Sequence, residues 1–129
     1  MRSDWGGVDP VVRALIGRLS APIAALPGAQ RMVLYGSYAK GTQSADSDVD
    51  LAVFFSEANS LPLLAEYRCL ARICATSEFD VQVQAFSAGE LENPCGIVEE
   101  IVRYGVELKL RPRADEAFGA GLPAARISV

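Results

Sequence analysis

Residues Val33–Phe54 read VLYGSYAKGTQSADSDVDLAVF, and the reading of this stretch decides the fold. An apolar run over about Arg31–Tyr35 stops at Gly36-Ser37. Ten residues separate Ser37 from Asp48-Val49-Asp50, after which the chain is apolar again through Phe55. The pattern predicts a strand over about 31–35 and another over 49–55. Between them it predicts one helical turn within Ser37–Thr42 and a loop over Gln43–Ser47. Residues two apart on a strand point to the same side, so Asp48 and Asp50 project together, with Cα atoms roughly 6.6 Å apart. Carboxylates converging to about 4 Å would repel by about 4 kcal/mol at an effective dielectric near 20. Either one is protonated or a cation compensates them. An all-oxygen pair suits a hard divalent cation, Mg²⁺ or Mn²⁺. Magnesium commonly takes one or two protein carboxylates and completes its shell with water and substrate phosphates. The pair therefore points toward a phosphate-bearing ligand.

The Gly-Ser turn points the same way. Gly36 has no Cβ and lets backbone approach a ligand closely. Ser37 offers a hydroxyl and an N–H, and the amides of a helical turn opening there would attract an anion. Lys40 adds a positive charge one turn on. Gly36, Ser37 and Lys40 on phosphate, with Asp48 and Asp50 on metal, make one coherent site. The plainer alternative is a tight turn with a surface lysine and a solvated Asp-x-Asp.

Composition bounds the alternatives. The chain has 129 residues, enough for one domain with a single core. Twelve basic residues against sixteen acidic ones give a net charge of −4, which argues against autonomous binding of long nucleic acid, since that needs many cation–phosphate contacts. The cluster Arg103, Lys109, Arg111 and Arg113 reads as solvated surface. Histidine is absent, so Ser-His-Asp and Cys-His catalysis are excluded and acid–base work falls to carboxylates, Lys, Tyr or Cys. Cys69, Cys74 and Cys95 are odd in number with no Cys-x-x-Cys pair. They read as reduced thiols of a cytoplasmic protein, Cys69 and Cys74 in packing. No run reaches the length of a membrane span and the N-terminus has no signal-peptide pattern.

Elsewhere Asp9-Pro10 is a helix start, and Val11, Val12, Leu15, Ile16 and Leu19 predict a helix over about 10–20, interrupted or ended by Pro22 and Pro27-Gly28. Asn59 or Ser60 would cap a second helix with Pro62 in its first turn. Its apolar stripe is Leu63, Leu64, Tyr67, Leu70, Ala71 and Cys74. Phe79–Phe86 alternates, with Phe79, Val81, Val83 and Ala85 on one face and Asp80, Gln82 and Gln84 on the other. Asn93-Pro94 starts a further helix facing the core through Ile97, Val98, Ile101 and Val102, with Gly105 as its C-cap. A last strand covers Val106–Leu110. Tyr35, Tyr38 and Tyr67 read as core or rim residues, Trp5 as packed under the first helix or frayed, and Glu99-Glu100 as a solvated helix face. Mixed strands and helices at this length imply an α/β (α+β) domain, a mixed sheet with helices packed on one face. Its expected limits are residues 1–111, followed by an Ala-, Gly- and Pro-rich tail, 112–129. Phe118, Leu122 and Ile127 suit that tail to partner docking.

Gly36-Ser37, ten residues, then Asp48-x-Asp50 resembles the signature of the DNA polymerase β-like nucleotidyltransferases. GSYAKG followed by SDVDLAV is similar to their minimal nucleotidyltransferase (MNT) family, and the likeness extends over roughly residues 10–110. The resemblance implies the polymerase β-like fold and two Mg²⁺ ions held by Asp48 and Asp50. It also implies a third carboxylate on a neighbouring strand that can deprotonate the attacking hydroxyl. Asp80 is the candidate, Glu78 its rival, and Asp46 and Glu57 are weaker ones. Asp48, Asp50 and Asp80 are thus the expected catalytic and metal-binding residues. ATP or another NTP is the expected donor. Stand-alone members of the family are often antitoxins that transfer AMP to a tyrosine of a HEPN-type ribonuclease toxin. The alternatives are a non-catalytic module that neutralises a toxin by occlusion, and an enzyme acting on a small molecule such as an antibiotic.

Overall fold

The structure, a computed structural model, describes residues 1–56 and 63–110. Helix α1 spans Pro10–Ala24 and begins where the Asp9 carboxylate accepts from the amides of Val11 at 2.8 Å and Val12 at 3.4 Å, satisfying two of the donors a helix start leaves unpaired. It buries Val12, Leu15, Ile16, Leu19 and Ile23, a helical stripe, and leaves Val11 outside. Pro22 lies inside its last turn rather than ending it. There the missing N–H and the ring disturb only the final backbone bonds.

Strand β1 (Ala29–Tyr35) runs into the four-residue helix α2 (Ser37–Lys40), and β2 (Val49–Phe55) follows. Helix α3 (Leu64–Cys74) crosses over to β3 (Val81–Ser87). A 3₁₀ turn (Ala88–Leu91), helix α4 (Ile97–Tyr104) and strand β4 (Val106–Lys109) complete the described chain. The sheet order is β3-β2-β1-β4, with β1 antiparallel to both β2 and β4 and β2 parallel to β3. The mixed sheet and its helices agree with the fold class expected from the sequence. The capping residues expected near 59–60, Pro62, Glu57 and the tail 112–129 lie outside the described residues.

Alternation sorts the sheet into two faces. Met32, Leu34, Leu51, Val53, Phe55, Val83 and Val106 pack with α1 and with Leu70 and Cys74 of α3. Burial pushes the Cys74 thiol up to about 11, so it stays protonated and serves packing. On the other face Val33, Tyr35, Ala52, Phe54 and Phe86 pack with Val98 and Ile101 of α4, and the rings of Phe54 and Phe86 stack at 5.3 Å. The layer expected on one face is therefore α1 and α3, while α4 shares the face that carries the acids.

Three local expectations are corrected. Leu64 and Tyr67 are exposed rather than part of the buried stripe. They line a depression of about 500 Å³ with Leu63 and the edge strand β3, where no further strand continues the core among the described residues. Helix α4 starts at Ile97, after the positive φ of Gly96, not at Asn93-Pro94. Gly105 ends α4 in an extended conformation, φ −72° and ψ 157°, so it is not a left-handed cap. Its reason is space. A Cβ there would collide with the Ile101 carbonyl and with Cγ1 of Val33, at 2.5 Å. Gly17, mid-helix in α1, faces open space. Gly105→Ala is expected to destabilise the fold by about 1–3 kcal/mol and Gly17→Ala to stabilise it by about 0.5–1 kcal/mol. Denaturant midpoints of the two variants check both signs.

Candidate active site

The antiparallel register pairs Tyr35 with Asp50, so the end of β1 and the start of β2 meet where the Gly36-Ser37 turn begins. Gly36 has φ 73° and ψ −154°, a backbone state that side chains oppose. The position its Cβ would take is filled by Oδ2 of Asp50, with the rest of that carboxylate at 3.1 Å. Glycine is therefore required twice, for its dihedral and for the seat it gives Asp50. The turn is closed by the amides of Ala39 and Lys40 on the Gly36 carbonyl, both at 3.1 Å.

Asp48 is exposed and Asp50 half-buried. Burial raises the Asp50 carboxyl above the ordinary range, and the negative charges of Asp48 and Glu100 push it further in the same direction. Tyr35 beneath them is also raised, first by burial and then by Asp50. Its hydrogen bond with Gln84 Nε2, at 3.3 Å, opposes the rise and Glu100 adds to it. Two carboxylates of one field and no basic side chain among those influences is a donor set that lacks a counter-charge. Oxygen-only donors in such a field fit a hard divalent cation. Among the described residues no three His, Cys, Asp or Glu side chains converge as a metal cluster. The acidic pair alone matches the one or two carboxylates that magnesium usually takes.

Asp80 immediately precedes β3. Its carbonyl accepts from the Val49 amide at 2.9 Å, and the parallel register sets Val81 beside Val49 and Gln82 beside Asp50. Asp80 is exposed and lines a depression with Tyr67, Ala71 and Cys74 of α3. Its backbone is thus held beside β2, but among the described residues its carboxylate does not join Asp48 and Asp50 as a third metal ligand. The chain bends over Ser77–Phe79, and Glu78 lines a depression with Leu15, Arg18, Leu19 and Pro22 of α1, beside the opposite face. The alternation that made it a rival does not extend through the bend. Lys40 is exposed. Its Nζ lies 3.7 Å from Glu100 and 4.9 Å from the centroid of Tyr104, turned toward α4. Ser37 is half-buried at the head of the turn.

Sequence reading missed Glu100, which it placed on a solvated helix face. Glu100 depends on how α4 docks, which no local pattern carries.

Two outcomes are expected. The folded-state pKa of Asp50 is raised, so its ionisation works against folding: the penalty is absent below the ordinary carboxylate range and complete above the raised value. In EDTA near neutral pH, Asp50→Asn is therefore expected to melt higher than wild type, the gap closing as pH falls to about 3. A lower Tm for the variant at neutral pH sinks this account. Gly36→Ala is expected to destabilise by at least about 1–3 kcal/mol while displacing Asp50, read by its melting curve and by loss of any response to Mg²⁺.

The family of polymerase beta nucleotidyltransferases matches residues 24–113. A relative from Shewanella oneidensis, protein adenylyltransferase MntA, is 30% identical over 94 residues, 72% of this chain. The match spans 63% of that relative, less than two thirds of its length. A solved toxin–antitoxin structure of MntA and HpeT is 26% identical with a TM-score of 0.50, covering 81% of this chain and 76% of that one. A nucleotidyltransferase structure from Sulfolobus solfataricus, 16% identical, shares the fold at a TM-score of 0.51 over 85% of this chain and 94% of that one. Nucleotidyltransferases of this kind generally use divalent metals. With the family matched across both strands of the acidic site and on to the last strand, the chain belongs to the polymerase beta nucleotidyltransferases.

Proposed function

We propose that the chain transfers AMP from ATP to a tyrosine of a HEPN-type ribonuclease toxin, acting as its antitoxin. The observation that carries this reading is the Asp50 carboxylate seated on the backbone of Gly36 beside Asp48, at the mouth of a turn bearing Ser37 and Lys40. The family supplies nucleotidyl transfer. The protein acceptor follows from the likeness to MntA, a protein adenylyltransferase, and to the MntA–HpeT pair.

In this reading Asp48 and Asp50 hold two Mg²⁺ ions, with Mn²⁺ as a substitute, and Asp80 adds a third carboxylate. The ions supply charge neutralisation and activation of oxygen at a phosphoryl centre. The backbone at Gly36 and Ser37 orients the triphosphate. Lys40 leaves Glu100 and Tyr104 to meet it, an exposed pair whose loss is small. The tyrosine oxygen bonds to the α-phosphorus, the bond from that phosphorus to the bridging oxygen breaks, and pyrophosphate departs with the bonding electrons. Asp80 accepts the tyrosine proton. ATP as donor and three free thiols suit a cytoplasmic setting. Residues 1–111 form the catalytic domain in this reading, and the apolar residues of 112–129 contact the partner.

Incubation with labelled ATP, Mg²⁺ and the candidate toxin, followed by mass spectrometry, is expected to find AMP on a toxin tyrosine. Asp48→Asn or Asp50→Asn is expected to lower transfer at least about 10³-fold, and Asp80→Asn about 10²–10⁴-fold. An unmodified toxin that the two Asn variants still neutralise in cells would overturn transfer in favour of occlusion. Label appearing only on an added antibiotic would move the acceptor to small molecules.

A further inference from the structure

The Gly36–Lys40 turn is fixed at its entrance by Asp50. Its far end is held by a residue outside the motif. Nη2 of Arg2 donates to the Ala39 carbonyl at 2.6 Å, and Nη1 donates to the Tyr104 carbonyl at 3.1 Å. These are carbonyls at the ends of α2 and α4, groups that helices leave short of partners. Arg2 itself is anchored through its backbone. It bridges to Val106, donates to the Gly105 carbonyl at 3.0 Å and accepts from the Glu107 amide at 2.8 Å. A second cation spans the same gap, since Lys40 of α2 reaches Glu100 and the Tyr104 ring of α4.

We infer that Arg2 is a positioning residue of the nucleotide site. Its guanidinium ties the end of the Gly36–Lys40 turn to the end of α4, and so sets where the turn and Lys40 lie relative to Asp48 and Asp50. This rests on the phosphate-holding role proposed for the turn. Arginine suits the task because a planar fork serves two carbonyls at once, whereas one ammonium is a single point of charge. The carbonyls lie 37 and 102 residues from Arg2 along the chain, so the tie joins parts of the site that no local pairing joins. Arg2 is exposed, so its removal opens no cavity in the core and the fold survives the test.

The test compares Arg2→Met and Arg2→Lys with wild type. Binding of ATP with Mg²⁺ is measured by calorimetry, and amide exchange by mass spectrometry. For Arg2→Met the Kd for ATP is expected to rise about tenfold, and in the transfer assay the loss is expected in KM with kcat nearly unchanged. Amides 37–42 are expected to exchange faster while those of β4 keep their protection. Arg2→Lys is expected to fall between, since it restores charge but not the fork. Equal ATP affinity in Arg2→Met and wild type overturns the inference. Deprotection of β4 without change at 37–42 also overturns it, because Arg2 would then only fasten the sheet edge. Absence of ATP binding in wild type is a distinct result and overturns the nucleotide reading together with this one.

Discussion

The carboxylate of Asp50 occupies the space above Gly36 that any other residue would fill with a Cβ. Much of the acidic face follows from that contact. It needs Tyr35 opposite Asp50 in the β1–β2 register, which needs the long connection through α2 between the strands. It also needs a positive φ at the end of β1, which turns the chain sharply into the Ser37–Lys40 segment. Asp48 shares the face by alternation, and the parallel register of β3 sets Gln82 beside Asp50 and the Asp80 backbone beside Val49. A shift of one residue in either pairing would move the carboxylates to the apolar face with α1 and α3.

The two faces divide the labour. One buries the branched and aromatic side chains that hold the sheet to α1 and α3. The other combines a smaller cluster under α4 with charges that burial and mutual repulsion leave unfavourable until a counter-charge arrives. Helix α4 links these roles, since Ile101 packs inward while Glu100, its neighbour, adds to the field on Asp50 and pairs with Lys40.

What was legible in the sequence was what local rules encode. Val49–Phe55 has the bounds its apolar run implied, and the Asp9 cap opens α1 as its side chain and Pro10 required. The Gly-Ser turn and the spaced aspartates identified the family because backbone constraint and chemistry coincide within one hairpin. What was not legible depends on docking. Alternation continued through Ser77–Phe79 made Glu78 a rival to Asp80, but the chain bends there and Glu78 lies beside α1, a placement no local pattern carries. The apolar residues Leu64 and Tyr67 have helical spacing, yet their helix overhangs the last strand of the sheet. Gly105 looked like a helix terminator, while its reason lies on β1, at Val33. Arg2 and Glu100 reach their partners only across the assembled fold, and nothing near them in sequence signals it.

The sheet order has a consequence for association. At one border the short strand β4 is shielded by the Arg2 bridge, which occupies part of its outer backbone. At the other, β3 presents seven residues with no neighbouring strand among the described residues. Among the described residues, β3 is thus the border at which a further strand would find unpaired backbone, while β4 already gives part of its outer backbone to Arg2.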